Sequence, residues 1–162
     1  MAVYLKLGDL EGNVTEGKHT KWIAVDSVQF GVGRSVEMKS GKMADRSPGK
    51  PSLSEMSFSK TLDPASVDLY KLAVGGQKGL KAEIDFTKIE DNKQETYLKY
   101  VLHDVIVTSY STSSTGEGGS FPFENFSLNF SKAEFTQKTY DNNNKASGSK
   151  TGGYDLVKSE AF

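Results

Sequence analysis

Cysteine is absent from this 162-residue sequence, and histidine occurs only twice. Without cysteine, the chain can form no thiolate nucleophile, no disulfide framework and no cysteine-ligated metal site. With only His19 and His103 present, a histidine-rich metal site is excluded as well. These absences remove the commonest thiol and metal chemistries, and we expect neither a metal nor a cofactor.

Net charge and long apolar runs are also lacking. The chain has 20 Lys and Arg residues against 21 Asp and Glu residues, a formal net charge of −1. A nucleic-acid partner requires a basic face, so we expect no nucleic-acid binding, whereas balanced charge lets identical copies approach one another. No stretch is long and apolar enough to cross a membrane, and the N-terminus does not have the pattern of a signal peptide. We therefore expect no direct membrane insertion.

Alternation of apolar and polar residues dominates what is present. It is clear over residues 80–86, 98–102 and 126–130, and it changes phase at Asp26-Ser27 and at His103-Asp104. A period of two predicts strands with one buried face. The phase changes predict β-bulges, which bend a strand where a sheet curls toward a barrel.

One helix is predicted, over about residues 63–74. Asp63 is a good N-cap, and Pro64 suits the first helical position because its missing N–H costs nothing there. Gly75-Gly76 accepts the left-handed conformation that ends a helix. One helix among many strands predicts a single mainly β domain over residues 1–162, a β-barrel of two antiparallel sheets with one flanking helix.

Two polar segments interrupt this pattern. Residues 34–51 are rich in Lys, Arg, Gly, Ser and Pro. They predict an extended loop, which in a compact domain is either functional or a mobile hairpin connection. Residues 141–153 contain few apolar side chains, which predicts a flexible segment.

The motifs that could carry catalysis are incomplete. Gly12–Lys18 matches the phosphate-binding pattern G-x-x-x-x-G-K, but His19 stands where Ser or Thr would hold magnesium. A strand, rather than the required helix, is predicted at residues 22–25, so we interpret the motif as a polar turn. No nucleophile elbow, zinc-protease motif or carboxylate pair of fixed spacing occurs. We expect no catalytic residue and no enzymatic activity.

Glu124 is a carboxylate at the head of an apolar strand. Such a group can pair with a cation across an interface, which makes Glu124 a candidate interface residue. The alternative is an ordinary solvated surface charge.

Several short motifs, taken in order, resemble one family. The first are Tyr4-Leu5-Lys6-Leu7-Gly8-Asp9, His19, Trp22-Ile23-Ala24-Val25 and the aromatic-glycine pair Phe30-Gly31. The later ones are Ser57–Lys60 with Asp63, Tyr97–Leu102, Val105–Val107, Ser111–Ser120, Glu124–Phe130 and Gly152–Asp155. Their order and spacing resemble the Hcp family, the tube proteins of bacterial type VI secretion systems.

The resemblance implies a structural protein that assembles with itself. Six copies would close into a ring with an open centre, and rings would stack into a tube. The implied partners are the spike protein, the contractile sheath and the baseplate of the secretion system, with small effector proteins in the lumen. The resemblance also implies assembly in the bacterial cytoplasm, followed by secretion without a signal peptide.

The resemblance turns two regions into candidate sites. We expect the 34–51 loop to project and to help one ring grip the next through its charged residues, Arg34, Lys39, Lys42, Asp45, Arg46 and Lys50. Gln29, and more weakly Ser27, would lie on a strand along the inner wall of the ring. The alternative for Gln29 and Ser27 is that each is an ordinary solvent-facing polar residue.

Three other functions are open on the sequence alone. A phage-tail-like tube subunit would be built on the same kind of fold and would differ only in its partners. A monomeric ligand-binding β-barrel would carry a small-molecule pocket, and the mass of the particle in solution separates it from a ring. A hydrolase or nucleotide enzyme is disfavoured by the missing catalytic residues.

Overall fold

The computed structural model describes residues 1–38, 46–76 and 79–162, most of which lie in β-strands. In chain order the strands are β1 (Ala2–Leu7), β2 (Ile23–Val25), β3 (Ser27–Gln29), β4 (Val32–Met38), β5 (Arg46–Leu53), β6 (Met56–Thr61), β7 (Leu80–Glu90), β8 (Lys93–Ser113), β9 (Phe123–Asn129), β10 (Lys132–Tyr140), β11 (Ala146–Asp155) and β12 (Glu160–Ala161). Helix α1 (Ser66–Gly75) lies between β6 and β7. The mainly β architecture with one flanking helix is therefore confirmed for the described residues.

Two antiparallel sheets share the long strand β8. The wide sheet has the strand order β12-β11-β10-β8-β7-β1-β2, and the narrow sheet has the order β3-β6-β9-β8. Only residues 106–113 of β8 pair with β9 in the narrow sheet. β4 and β5 pair with each other alone, and we call residues 32–53 the hairpin. Across the described residues the ladders do not close into a barrel; the two sheets instead join at corners formed by β8 and by the passage from β2 to β3.

The two predicted phase changes have different structural causes. Asp104 adopts a φ of +52°, and the pairing of β7 with β8 shifts register there, which confirms a bulge. At Asp26 the chain passes from one sheet to the other, and its N–H donates to the carbonyl of Ser59 at 2.8 Å. The expected bulge at that position is thus a corner between sheets.

The core lies between the inner faces of the two sheets. The wide sheet contributes Leu5, Ile84 and Leu102, all fully buried. The narrow sheet contributes Phe58 and Phe126, whose rings stack with centroids 5.0 Å apart. Helix α1 packs against β8 and closes one side of this core. Alternation thus places one face of every central strand inside, as the period of two requires.

Helix α1 begins later than the sequence predicts. It starts at Ser66 because residues 63–65 form a preceding turn, in which the Asp63 carboxylate accepts the N–H of Ala65 at 3.0 Å. The C-terminal end is as predicted: Gly76 has a φ of +67° and donates its N–H to the carbonyl of Leu72 at 3.1 Å. No helix among the described residues has the length and apolar character needed to span a membrane.

Both segments predicted to lack regular structure contain strands. The described part of the predicted loop at 34–51 belongs to β4 and β5, and residues 39–45 lie outside the described residues. Most of the predicted flexible segment at 141–153 is β11, which pairs with β10 along its whole length. Polar composition was misleading in both places because strand ladders are made by backbone groups, which polar side chains do not prevent from pairing.

Candidate assembly surfaces

The middle of the outer face of the narrow sheet carries uncharged polar side chains, and exposed Phe123 lies in the row beyond them. The backbone register aligns eight of them in two cross-strand rows, Ser27–Ser59–Asn125–Ser111 and Gln29–Ser57–Ser127–Ser109. We call these eight residues the serine face. The predicted lumen candidates Ser27 and Gln29 each end one row, and both are exposed. The structure therefore places the two candidates on one face and adds six residues that sequence reasoning missed.

Hydroxyl groups on the serine face satisfy one another. The Oγ atoms of Ser27 and Ser59 lie 2.6 Å apart, and those of Ser57 and Ser127 lie 3.2 Å apart. Such cross-strand hydroxyl pairs stabilise a sheet. A chain with 41 charged residues among 162 places none in these eight positions. The serine face thus offers no charge and little apolar area.

The narrow sheet ends in two open edges. Among the described residues, β3 pairs only with β6, and residues 106–113 of β8 pair only with β9. An open edge presents unpaired backbone N–H and C=O groups, which invite pairing with another chain. The two edges lie on opposite sides of the serine face, so each copy can offer both at once.

The two strands of the hairpin pair with each other and, among the described residues, with no strand of either sheet. Within it, Nε of Arg34 donates to the carbonyl of Gly49 at 2.6 Å, and Lys50 is exposed. Val32 and Val36 are 61% and 52% exposed. A two-stranded hairpin with exposed apolar side chains is marginally stable by itself. The arrangement favours a role in contact with another molecule.

The predicted loop residues can be located only in part. Arg34 and Lys50 lie on paired strands, and of Arg46 only the backbone, in β5, is described. Lys39, Lys42 and Asp45 lie outside the described residues.

An apolar groove of about 220 Å³ lies between the root of the hairpin and the wide sheet. Phe30 and Leu53 form one wall, and Tyr100 and Phe135 form the other. The rings of Tyr100 and Phe135 stack with centroids 5.5 Å apart, and Phe135 is 44% exposed. The wide-sheet residues of the groove lie on the same face of that sheet as the core residues, in a part that the narrow sheet does not cover.

Glu124 is neither an interface residue nor a surface charge. It is fully buried, and its carboxylate accepts from Lys60 Nζ at 2.6 Å, from Ser66 Oγ at 2.8 Å and from Tyr110 O–H at 2.5 Å. Burial raises the pKa of Glu124, but the hydrogen bonds from Lys60, Tyr110 and Ser66 outweigh it and leave the pKa below its usual value. The predicted cation partner exists, but it is Lys60 of the same chain.

Sequence reasoning missed Lys60, although a signal was present. In the alternation of β6, Lys60 shares the phase of Met56 and Phe58, which are both buried. A lysine on a core face requires a carboxylate partner. Glu124 likewise shares the phase of Phe126 in the neighbouring strand β9, and the register pairs it directly with Lys60.

The phosphate-loop motif has no nucleotide-binding context. The segment Gly12–Lys18 is followed by β2 rather than by a helix, as the interpretation of a polar turn requires. Its neighbour His19 is buried and contacts carboxylates.

Comparison with known proteins gives consistent matches over the chain. The family model described as "Type VI secretion system effector, Hcp" matches residues 4–137. The protein hcp1 of Pseudomonas aeruginosa is 28% identical over 151 residues, which cover 93% of this chain and 89% of that protein. A solved structure of a type six secretion system protein superposes with a TM-score of 0.91 at 29% identity, with 99% of both chains covered. Hcp1 from Salmonella typhimurium shares the fold, with a TM-score of 0.76 at 23% identity over 99% of this chain and 98% of that one.

Proposed function

This chain belongs to the Hcp family of type VI secretion system proteins, and on that premise we propose that six copies close into a ring and that rings stack into the secretion tube. The observation that carries the proposal is the narrow sheet, which has an open edge on each side and an uncharged polar face between them. The chain would act as a structural subunit without enzymatic activity of its own.

A closed ring requires a heterologous interface, in which one surface of each copy meets a different surface of the next. Pairing β3 of one copy with residues 106–113 of β8 in its neighbour would extend the narrow sheet around the ring. Both open edges would then be covered, which removes the risk of uncontrolled pairing. The apolar groove beside Phe135 offers further area that a neighbouring copy can cover.

The serine face would then line the lumen. A continuous sheet built from six narrow sheets has one face toward the core of each subunit and one toward the centre of the ring. The serine face is the second of these. Without charge in these eight positions, the wall offers no strong electrostatic attachment point, which suits a surface past which small effector proteins move.

The hairpin would connect one ring to the next. Its strands pair with neither sheet among the described residues, and exposed Val32 and Val36 would gain burial against a neighbouring ring. The charged residues Arg34 and Lys50 lie on its paired strands. Hydrophobic contact with a charged rim is typical of specific protein interfaces.

The remaining partners follow from the family. We propose that the tube is assembled in the bacterial cytoplasm, carries a spike protein at its tip and is driven outward by a contractile sheath that rests on a baseplate. The chain would leave the cell in this way without a signal peptide. The phage-tail-like alternative has the same ring and differs only in these partners.

The mass of the purified protein tests the ring. We expect a particle of six times 17.7 kDa, the mass of one chain, in light scattering, and annular particles with an open centre in negative-stain images. A single species of 17.7 kDa at high protein concentration would instead support the monomeric ligand-binding barrel.

Selective labelling tests the lumen. Because the chain has no cysteine, Gln29→Cys carries one reactive thiol, which we expect to be biotinylated readily but hidden from streptavidin inside stacked rings. In Lys71→Cys, where the lysine is 71% exposed on α1, streptavidin should bind as soon as biotin is attached. Equal streptavidin binding by the two assembled variants would show that Gln29 faces outward.

A further inference from the structure

One buried histidine fastens the connection between β1 and β2 to the wide sheet. The backbone of this connection, residues 8–22, is hydrogen-bonded mainly to itself. The N–H of Gly12 donates to the carbonyl of Lys21 at 2.8 Å, and the N–H of Lys21 donates to the carbonyl of Val14 at 2.7 Å. His19 is only 2% exposed and reaches from the connection to the middle of β7. Its side chain therefore decides how firmly the connection is held.

Both ring nitrogens of His19 face carboxylate oxygens. Nε2 lies 2.9 Å from Oδ2 of Asp85, a residue of β7 that is 7% exposed. Nδ1 lies 2.5 Å from Oε2 of Glu16, which belongs to the connection itself. The imidazole thus joins a carboxylate of the connection to a carboxylate of the sheet.

This geometry requires a proton on each nitrogen. Ionised carboxylates only accept hydrogen bonds, and a neutral imidazole donates from one nitrogen, so only the imidazolium makes both bonds. The ring of Tyr4 stacks on the imidazole with centroids 4.7 Å apart, and an aromatic face favours a cation. The edge of Trp22, at 4.8 Å, completes the enclosure of the ring.

Glu16 is the acceptor in its bond to His19. Burial raises the pKa of Glu16, but the hydrogen bonds from the His19 ring and from the backbone of Lys18 outweigh it, so the pKa lies below its usual value. A carboxyl group in this state is ionised at neutral pH and can only accept a hydrogen bond.

The other charges near His19 come from β7 and β8. Asp85 also accepts from Thr96 Oγ1 at 3.2 Å and lies 3.8 Å from Lys99 Nζ. Lys99 in turn donates to Glu83 at 2.5 Å, and Lys81 donates to the same carboxylate at 2.9 Å. Burial raises the pKa of Glu83, but the two lysines outweigh it and lower the pKa to about 2. Glu83 therefore stays ionised when the pH rises above neutral.

We propose that His19 is a proton-dependent latch between residues 8–22 and the wide sheet. The latch is closed while the imidazole carries both protons and both carboxylates are ionised. When the pH rises and the ring loses one proton, a nitrogen lone pair faces a carboxylate oxygen, and one of the two bonds is replaced by repulsion. The connection then loosens from Asp85, and stability that depends on the latch is lost on the alkaline side.

The latch lies at the start of the segment that leads to the open edge of the narrow sheet. Residues 8–22 run directly into β2, which continues through Asp26 into β3. Loosening the connection would therefore disturb the strand that we propose joins neighbouring copies. This last consequence rests on the proposed function, whereas the latch itself does not.

The test uses the fact that the chain has only two histidines. His103→Gln leaves His19 as the sole histidine; His103 lies in β8, where its Nε2 is 3.0 Å from Oε2 of Glu134. Nitrogen NMR of the ring and hydrogen exchange of the backbone amides would be followed between about pH 5 and about pH 9. We expect both ring nitrogens to be protonated while residues 8–22 are protected, and protection there to fall roughly tenfold or more as the ring loses a proton.

His19→Gln in the His103→Gln background is the matched control. Glutamine cannot titrate, so protection of residues 8–22 should no longer change with pH in a way of its own. All amides exchange faster as the pH rises, and residues 146–155 of β11 show the size of this general effect in the same sample. Unchanged protection of residues 8–22 throughout the titration of His19, or a ring with one protonated nitrogen while the connection is closed, would overturn the latch. The mass of the particle, measured separately, tells whether rings form in any of these states.

Discussion

Lys60→Met is expected to lower the free energy of unfolding by about 3–5 kcal/mol, as for other buried ion pairs that lose one partner. Lys60 is fully buried, and its Nζ donates to Glu124 at 2.6 Å and to Asp63 at 2.7 Å. Methionine fills the space but leaves both carboxylates without their cation. Urea denaturation of the purified variant measures the effect.

Two variants distinguish loss of the buried pair from simple loss of a lysine. Lys81→Met removes a lysine that is 56% exposed and lies 2.9 Å from Glu83, and we expect it to cost less than about 1 kcal/mol. Lys60→Met combined with Glu124→Gln removes one of the uncompensated charges and should recover part of the lost stability. Equal costs for Lys60→Met and Lys81→Met would contradict the interpretation.

The same network predicts how stability depends on pH. The folded-state pKa of Glu124 is lowered, so its contribution is present above the pKa of the unfolded carboxyl group and is lost as the pH falls through the folded value. We therefore expect Glu124→Gln to reduce stability at neutral pH and to differ less from the parent protein well below about pH 4. Denaturation midpoints measured at both pH values give the comparison.

Deletion of residues 38–49 is expected to leave rings intact and to weaken their stacking roughly tenfold or more, equivalent to about 1.4 kcal/mol or more. Arg34 pairs with Pro51 in the hairpin, so the deletion leaves Ser35-Val36-Glu37-Lys50 as a four-residue turn between a retained pair. The root of the hairpin and the core are untouched, whereas the pairs that β4 makes with Arg46, Ser47 and Pro48 are lost. Negative-stain images and sedimentation velocity separate single rings from stacks.

A second protruding turn supplies the control for this deletion. Residues 142–144 lie at the tip between β10 and β11, where the N–H of Asp141 donates to the carbonyl of Lys145 at 2.9 Å. Removing these three residues shortens a projection of similar polarity without touching the hairpin, so stacking should persist. Undiminished stacking after deletion of 38–49, or loss of the rings themselves, would show that the hairpin does not have the proposed role.

The sequence determined the apolar central strands and which face of each is buried, but it did not reveal the polar strands β4, β5 and β11. Alternation predicted the core positions of β7 and β9, and Gly76 predicted the end of α1. The resemblance to a family supplied Ser27 and Gln29 as lumen candidates. These features depend on neighbours one to four residues apart, which any short window of sequence contains.

Only the tertiary structure decided which strands are neighbours, and with them the sites. Lys60 and Glu124 are 64 residues apart in the sequence, and His19 and Asp85 are 66 residues apart. The serine face draws its eight side chains from four strands, and β11 owes its form to the backbone of β10 rather than to its own polar residues. The physical reason is that strand pairing is made by backbone groups shared by all residues, so the register that brings distant side chains together is settled only when the whole core packs.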